Sequence, residues 1–231
     1  MAFKDKGFDN PIYIEEENEP EKAIIIACEG ENTEPEYFEA IKEKLSDYIS
    51  VLVEIKIVER SVAGSQPKKV VSNLENFIHD KYDYKPDNDE LWVVWDREVK
   101  EDFQRRKDII ELIPKCKEKN YNIALTNPLF EFWLLLHIVN ISTYDKNILY
   151  KNNWTSHTKR KRFIDKELSN LLAKGYTKKK NKFNTDIVNK ENILRALEQE
   201  KLFENDLEEI IDNLGSNVGD LIRKILTFEN E

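Results

Sequence analysis

Residues 22–38 read KAIIIACEGENTEPEYF. The first seven form a nearly unbroken apolar run with three adjacent isoleucines. That is the pattern of a strand covered on both faces, not of one alternating between core and water. The run stops at Glu29-Gly30-Glu31. Thr33, with Glu36 three residues on, has the form of a capping box, and Pro35 suits a first helical turn. Tyr37, Phe38, Ile41, Leu45 and Ile49 then recur as a helical stripe. A buried strand leading through a tight turn into a helix is the repeating unit of a parallel α/β sheet. Glu31 and Glu34 read as exposed acids of that turn, and Gly30 as the residue that lets the backbone turn without crowding it.

The same unit recurs along the chain. VLVEIKIV (51–58), ELWVVWD (90–96) and YNIALT (121–126) read as strands. Residues 66–82, opened by Pro67, and 101–119, which Pro114 is expected to kink or end, read as helices. NPLFEFWLLLHIVN (127–140) reads as a further helix, with Asn127 as cap and Pro128 in the first turn. After residue 145 the alternation stops and no strand is expected. Residues 160–176, 187–205 and 207–229 read as helical, the last interrupted at Gly215-Ser216-Asn217. The reading is a flexible acidic arm at 1–20, a four-stranded parallel α/β core at 21–145 and an α-helical C-terminal region at 146–231.

Composition narrows the class. Hydrophobic residues make up 40% of the 231, low but workable with 10% aromatic residues to bury large areas. Cys28 and Cys116 are the only cysteines and have no metal-type spacing, which fits a reducing compartment. The N-terminus lacks a signal-peptide pattern, and FWLLLHIVNI (132–141) is too short to span a bilayer. A soluble cytoplasmic protein without a membrane contact is expected.

The net charge of −9 conceals an asymmetry. Residues 1–145 hold 19 basic and 31 acidic side chains, and residues 191–231 hold 4 and 11. Residues 146–190 hold 13 basic and 3 acidic, a net of +10. Lys159, Arg160, Lys161 and Arg162, then Lys178, Lys179, Lys180 and Lys182, form its two clusters. Such a segment steers polyanions, though a solvated helix face or loop has the same composition. Tyr176, Phe183 and Trp154 are candidate platforms for bases.

Two strands end in carboxylates. Glu29 follows the first, and Asp96 ends the third, with Glu98 two residues later. In an open parallel sheet, ligands bind outside the carboxyl ends of the strands, where strand order reverses. A strand order of 2-1-3-4 brings Glu29, Asp96 and Glu98 around one crevice. Carboxylates brought together raise one another's pKa unless a cation neutralises them. An all-oxygen set suits Mg²⁺ or Mn²⁺ rather than zinc, and such a site serves phosphoryl chemistry.

CEGENTEPEYF, VVWDRE, TNPLFEFWLLLH and NLGSNVGDLIRKI together resemble the RloB-like family, also called AbiLii-like. AGSQPKKVV (63–71) is similar to that family's Gly-x-x-Pro segment. Its members are Toprim-related proteins of bacterial phage-defence loci. The resemblance implies a Toprim-like, Rossmann-like fold and a metal held by a glutamate after the first strand and an Asp-x-Asp after the third. Glu29 and Asp96 match two of these positions, while Glu98 stands where the second aspartate is expected and is one methylene longer. It also implies an OLD-like or ABC-type ATPase partner.

Glu131, in the first turn of the helix after the fourth strand, is a candidate to position water or a lysine, or simply to favour the helix N-terminus. His137 reads as a hydrogen-bonded core residue. The function expected is a Mg²⁺-dependent nuclease acting on RNA or DNA in antiviral defence, with Glu29, Asp96, Glu98 and Glu131 catalytic. A non-catalytic Toprim-like subunit or nucleic-acid-binding module is the alternative.

Overall fold

β1 (Lys22–Cys28) is the second strand of a five-stranded sheet, flanked by the strands Val53–Ile57 and Glu90–Asp96. The structure is a computed structural model and describes residues 20–60, 66–98, 102–155 and 161–228. The arm at 1–19, residues 63–65 of the Gly-x-x-Pro segment, and Lys159 and Arg160 therefore lie outside the described residues. The elements after β1 are α1 (Thr33–Lys44), β2 (Val53–Ile57), α2 (Pro67–Asp80), β3 (Glu90–Asp96) and α3 (Phe103–Glu118). Next come β4 (Tyr121–Asn127), α4 (Phe130–Ile138), α5 (Lys146–Lys151), α6 (Phe163–Leu171) and α7 (Lys190–Glu200). The chain closes with α8 (Leu207–Ile210), β5 (Gly215–Ser216) and α9 (Val218–Ile225).

β1 to β4 run parallel in the expected order, with Ile24 opposite Ile55 and Ile26 opposite both Ile57 and Trp92. Successive side chains on a strand point to opposite faces. Ile24, Ile26, Trp92, Val94 and Ala124 therefore enter one core, with Tyr37, Phe38, Phe130 and Trp133. Ile25, Leu91, Val93, Trp95 and Leu125 enter another, with Val70, Leu74, Ile109 and Cys116. Helices on both faces account for the unbroken apolar runs. Cys28 and Cys116 are free and buried. No helix among the described residues is long and apolar enough to cross a membrane.

The structure corrects the sequence reading at several points. The sheet is mixed and has five strands, not four. Gly215-Ser216, read as a helix break, pairs antiparallel with the end of β4, Thr126 opposite Ser216 and Asn127 opposite Gly215. Gly215 is required there because the Glu204 backbone fills the space of a Cβ. Ser216 N–H donates to Glu204 O at 3.0 Å. A two-residue strand carries too little pattern to be legible. Pro114 lies inside α3 and does not end it. The carbonyl left without a helical donor belongs to the exposed Ile110, where water can reach it. Asn127 does not cap α4: β4 runs through it, the Asn127–Pro128 peptide is cis, and Leu129 holds the cap position. The Asn127 amide donates instead to Ile210 O at 2.7 Å.

Residues 146–228 share a core with the sheet. Leu149, Ile164, Ile187, Ile193, Leu221 and Ile222 are fully buried in the cluster that contains Ile24 and Phe130. The helices are shorter than expected, because connecting turns replace the ends of 160–176 and 187–205.

Candidate functional site

β2 lies on one side of β1 and β3 on the other, so strand order reverses at β1. A cavity of about 450 Å³ opens there, lined by Glu29, Glu34, Asp96, Glu131, Arg60 and Lys178 among others. It brings together three of the residues singled out for catalysis, and Lys178 from the basic segment. Four of its carboxylates are on buried or nearly buried residues.

Glu29, 4% exposed, follows β1 directly. Its Oε2 accepts from Asp96 N–H at 3.1 Å and from the Arg105 guanidinium. Arg105 is set in the first turn of α3, where Asp102 caps the helix by accepting from Arg105 N–H at 2.8 Å. Its Nε donates to Asp96 O at 2.8 Å. Burial pushes the Glu29 pKa up, and the Arg105 charge only partly offsets this.

Asp96 ends β3, and its Oδ1 accepts from Phe130 N–H, the first amide of α4, at 2.8 Å. A side chain from another strand thus caps a helix whose own cap residue, Leu129, has no oxygen to offer. Burial, then Glu34, Glu29 and Glu131, raise the Asp96 pKa well above the carboxylate range.

Glu34, read from sequence as an exposed acid, is 4% exposed. Its Oε1 accepts from Gly30 N–H at 3.1 Å, and its carboxylate fills the space a Cβ on residue 30 would need. A side chain at residue 30 would displace this carboxylate. Burial and the Glu131 charge push Glu34 up to about 7. The expected Thr33–Glu36 capping box does not form, since Asn32 is the cap position of α1 and makes no side-chain cap bond. Thr33 lies 3.3 Å from the Tyr176 hydroxyl, and Glu36 reaches away to the lysine turn.

Glu131 is 2% exposed and accepts from the Tyr176 hydroxyl and from Lys178 Nζ at 2.8 Å. Lys178 also lies 3.5 Å from Asp165 in α6. Burial alone would lower the Lys178 pKa, but Glu131 and Asp165 raise it, so the ammonium stays charged. Of the alternatives open for Glu131, positioning a lysine matches these contacts. Tyr176 is buried against Glu131 and so is no platform for a base. Phe183 packs edge-on against Tyr37.

Glu98 takes a different path. Its backbone is left-handed (φ 61°), its N–H donates to Pro128 O at 2.7 Å, and its carboxylate lies 3.8 Å from Arg105. It is not among the residues lining the cavity. Arg97 between them is buried and donates to Ile211 O at 3.0 Å.

The lysine turn is anchored at several points. Asn32 donates to Lys178 O at 3.0 Å, and the Glu36 carboxylate accepts from Asn181 N–H at 2.6 Å and Phe183 N–H at 2.9 Å. Lys179, Lys180 and Lys182 project into solvent from this turn. Lys161 is exposed and donates to Ser169 Oγ at 2.6 Å, while the Arg162 guanidinium stands over the Trp154 ring. His137 is a core residue. Nδ1–H donates to Trp133 O at 2.8 Å, Nε2 accepts from the Tyr37 hydroxyl at 3.1 Å, and burial pulls its pKa down to about 4.

Among the described residues, no group of three or more His, Cys, Asp or Glu side chains is placed so that it could hold a metal ion. The donor chemistry nevertheless fits a hard divalent cation. Glu29 and Glu131 are paired with Arg105 and Lys178. Glu34 and Asp96 are held by backbone N–H groups, and burial first, then the neighbouring carboxylates, raises their pKa values.

Compared with known proteins, residues 24–225 match the family described as RloB-like protein. No curated protein and no solved structure matches the chain.

Proposed function

The chain belongs to the RloB-like family, and from that premise we propose that it is a nuclease, dependent on Mg²⁺ or Mn²⁺, that hydrolyses phosphodiester bonds in RNA or DNA. The observation that carries this reading is the set of carboxylates gathered at the carboxyl edge of β1 and β3, where Glu29, Glu34, Asp96 and Glu131 line one cavity and burial, then their neighbours' charge, raises the pKa values of Glu34 and Asp96. Asp96, Glu34 and Glu29 would hold the cation, while Glu98 stands outside the cavity lining. When bound, a divalent cation supplies the charge that polarises a phosphoryl oxygen.

The chain's own residues have separable tasks in this reading. Arg105 fixes the Glu29 carboxylate, and the first amide of α4 fixes Asp96. Glu131 and Asp165 keep Lys178 charged and turned toward the cavity, where a phosphate is the matching ligand. Lys179, Lys180 and Lys182 extend that positive surface outward for the neighbouring phosphates. The proposal extends to antiviral defence and to an OLD-like or ABC-type ATPase partner, in line with the family resemblance.

Cleavage of RNA and DNA panels with Mg²⁺ or Mn²⁺ tests the reading. Glu29→Gln and Asp96→Asn are each expected to lower the rate about 100-fold or more. Cleavage that survives both substitutions sinks the assignment. One observation favours a second reading, a non-catalytic nucleic-acid-binding subunit: Glu29 is already neutralised by Arg105. That reading predicts salt-dependent binding of nucleic acid that added Mg²⁺ leaves unchanged beyond its ionic strength.

A further inference from the structure

Three of the four tryptophans, Trp92, Trp95 and Trp133, are buried, whereas Trp154 is 59% exposed. Trp154 is nevertheless held in place. It forms a β-bridge with Arg162, Thr155 N–H donates to Lys161 O at 3.0 Å, and Phe163 N–H donates to Asn153 O at 2.9 Å. At the base of this ladder the Asn152 side chain accepts from Ile164 N–H at 3.0 Å, tying it to the start of α6. The Arg162 guanidinium lies over the indole, 5.2 Å from the ring centroid. The remaining indole surface is open to solvent.

The neighbourhood is cationic and continuous with the acidic cavity. Lys161 Nζ reaches Ser169 and the Tyr176 carbonyl, and the Tyr176 hydroxyl holds Glu131. Asp165, three residues after Arg162, holds Lys178 at the cavity. The two basic clusters, separate in sequence, thus meet along α6. An exposed aromatic ring backed by a guanidinium, next in the chain to Lys161, has the chemistry of a single-strand platform. Cations take the phosphates and the ring takes a base face, whatever the base.

We infer that Trp154 and Arg162 form a stacking platform for an unpaired base, with Lys161 and the lysine turn taking the adjoining phosphates. This rests on the reading of the chain as acting on nucleic acid and narrows its substrate to strands with unpaired bases. A base inside a duplex has both faces covered by its neighbours and cannot stack on a side chain.

The test is binding of the full chain, with EDTA present, to three probes of about twelve nucleotides, in the range of single-strand site sizes. They are an oligothymidylate, a strand of equal length without bases, and a duplex. The oligothymidylate is expected to bind about tenfold more tightly than the baseless strand and to quench tryptophan fluorescence. Trp154→Ala is expected to weaken the oligothymidylate by about the same tenfold, leaving the baseless strand unchanged, and Trp154→Phe to stay within about threefold of the original. Because the side chain is exposed, both variants should keep the parent's near-ultraviolet circular dichroism from the buried tryptophans. Equal binding of strands with and without bases overturns the platform, as does a Trp154→Ala protein that still prefers the base-bearing strand. Base-selective binding lost in Trp154→Ala supports the platform even if the chain cleaves nothing. Cleavage of single strands with unchanged KM in Trp154→Ala overturns it and leaves the hydrolytic reading intact.

Discussion

Glu34 carries a linkage that can be measured without a substrate. Burial and Glu131 raise its pKa from 4.5 to about 7. The folded state therefore keeps a proton that the unfolded state releases between those values. Stability from this group is fully present below about pH 4.5 and is lost as pH rises toward 7. Asp96 and Glu29, shifted the same way, add to the slope. In EDTA the melting temperature is expected to fall across this window by more than in the Glu34→Gln variant, and Mg²⁺ should restore it. A Tm that Glu34→Gln leaves equally pH-dependent counts against the buried carboxylate. Gly30 is in steric contact with Glu34. A methyl group meets the Glu34 carboxylate, so Gly30→Ala is expected to cost about 1–3 kcal/mol in denaturant unfolding. Glu29 and Asp96 were legible in the sequence because each directly ends a buried run. Glu34 was not, because it stands in GENTEPE among acids of the same appearance, and only the fold shows which one turns inward.

Among the elements, the turn at 178–183 has its order imposed from outside. The Glu36 carboxylate in α1 accepts two of its amides, and Asn181 sits in the left-handed region (φ 57°) where it needs such support. Glu36→Ala is expected to speed hydrogen exchange at Asn181 and Phe183 by roughly tenfold, about 1.4 kcal/mol of local opening. It should weaken nucleic-acid binding several-fold without abolishing cation binding. Unchanged exchange at both amides counts against Glu36 as the turn's anchor. The strands β1 to β4 were readable because a covered parallel strand leaves a long apolar signature. β5 was not, being two residues long and specified by the Glu204 backbone against Gly215. The start of α4 was misplaced because Asn127-Pro128 has the form of a helix entry, while the actual cap comes from Asp96, 34 residues upstream of Phe130.

Across the whole molecule, the order of the first four strands and the location of the acidic edge were expected from sequence, because the crossover rules leave few arrangements for alternating strands and helices, whereas the fifth strand was not. Nor was the share of the C-terminal region in the core, since it depends on contacts such as Tyr176 with Glu131, made by residues 45 apart. Removing residues 146–231 would uncover Phe132, Trp133, Leu135 and Leu136, all fully buried. The fragment 1–145 is expected to lose its near-ultraviolet circular dichroism and bind a hydrophobic dye. A cooperative thermal transition in that fragment would contradict the shared core. The acidic cavity likewise draws on both parts, with Glu29, Glu34, Asp96 and Glu131 from one and Lys178 from the other. The proposed uptake of a divalent cation by this cavity is tested most directly by titrating Mn²⁺ into the full chain and counting free Mn²⁺ by electron paramagnetic resonance. Saturable uptake is expected at or below about millimolar Mn²⁺, displaced by Mg²⁺ and lost in Asp96→Asn. No uptake at that concentration, or uptake that Asp96→Asn leaves unchanged, would contradict it.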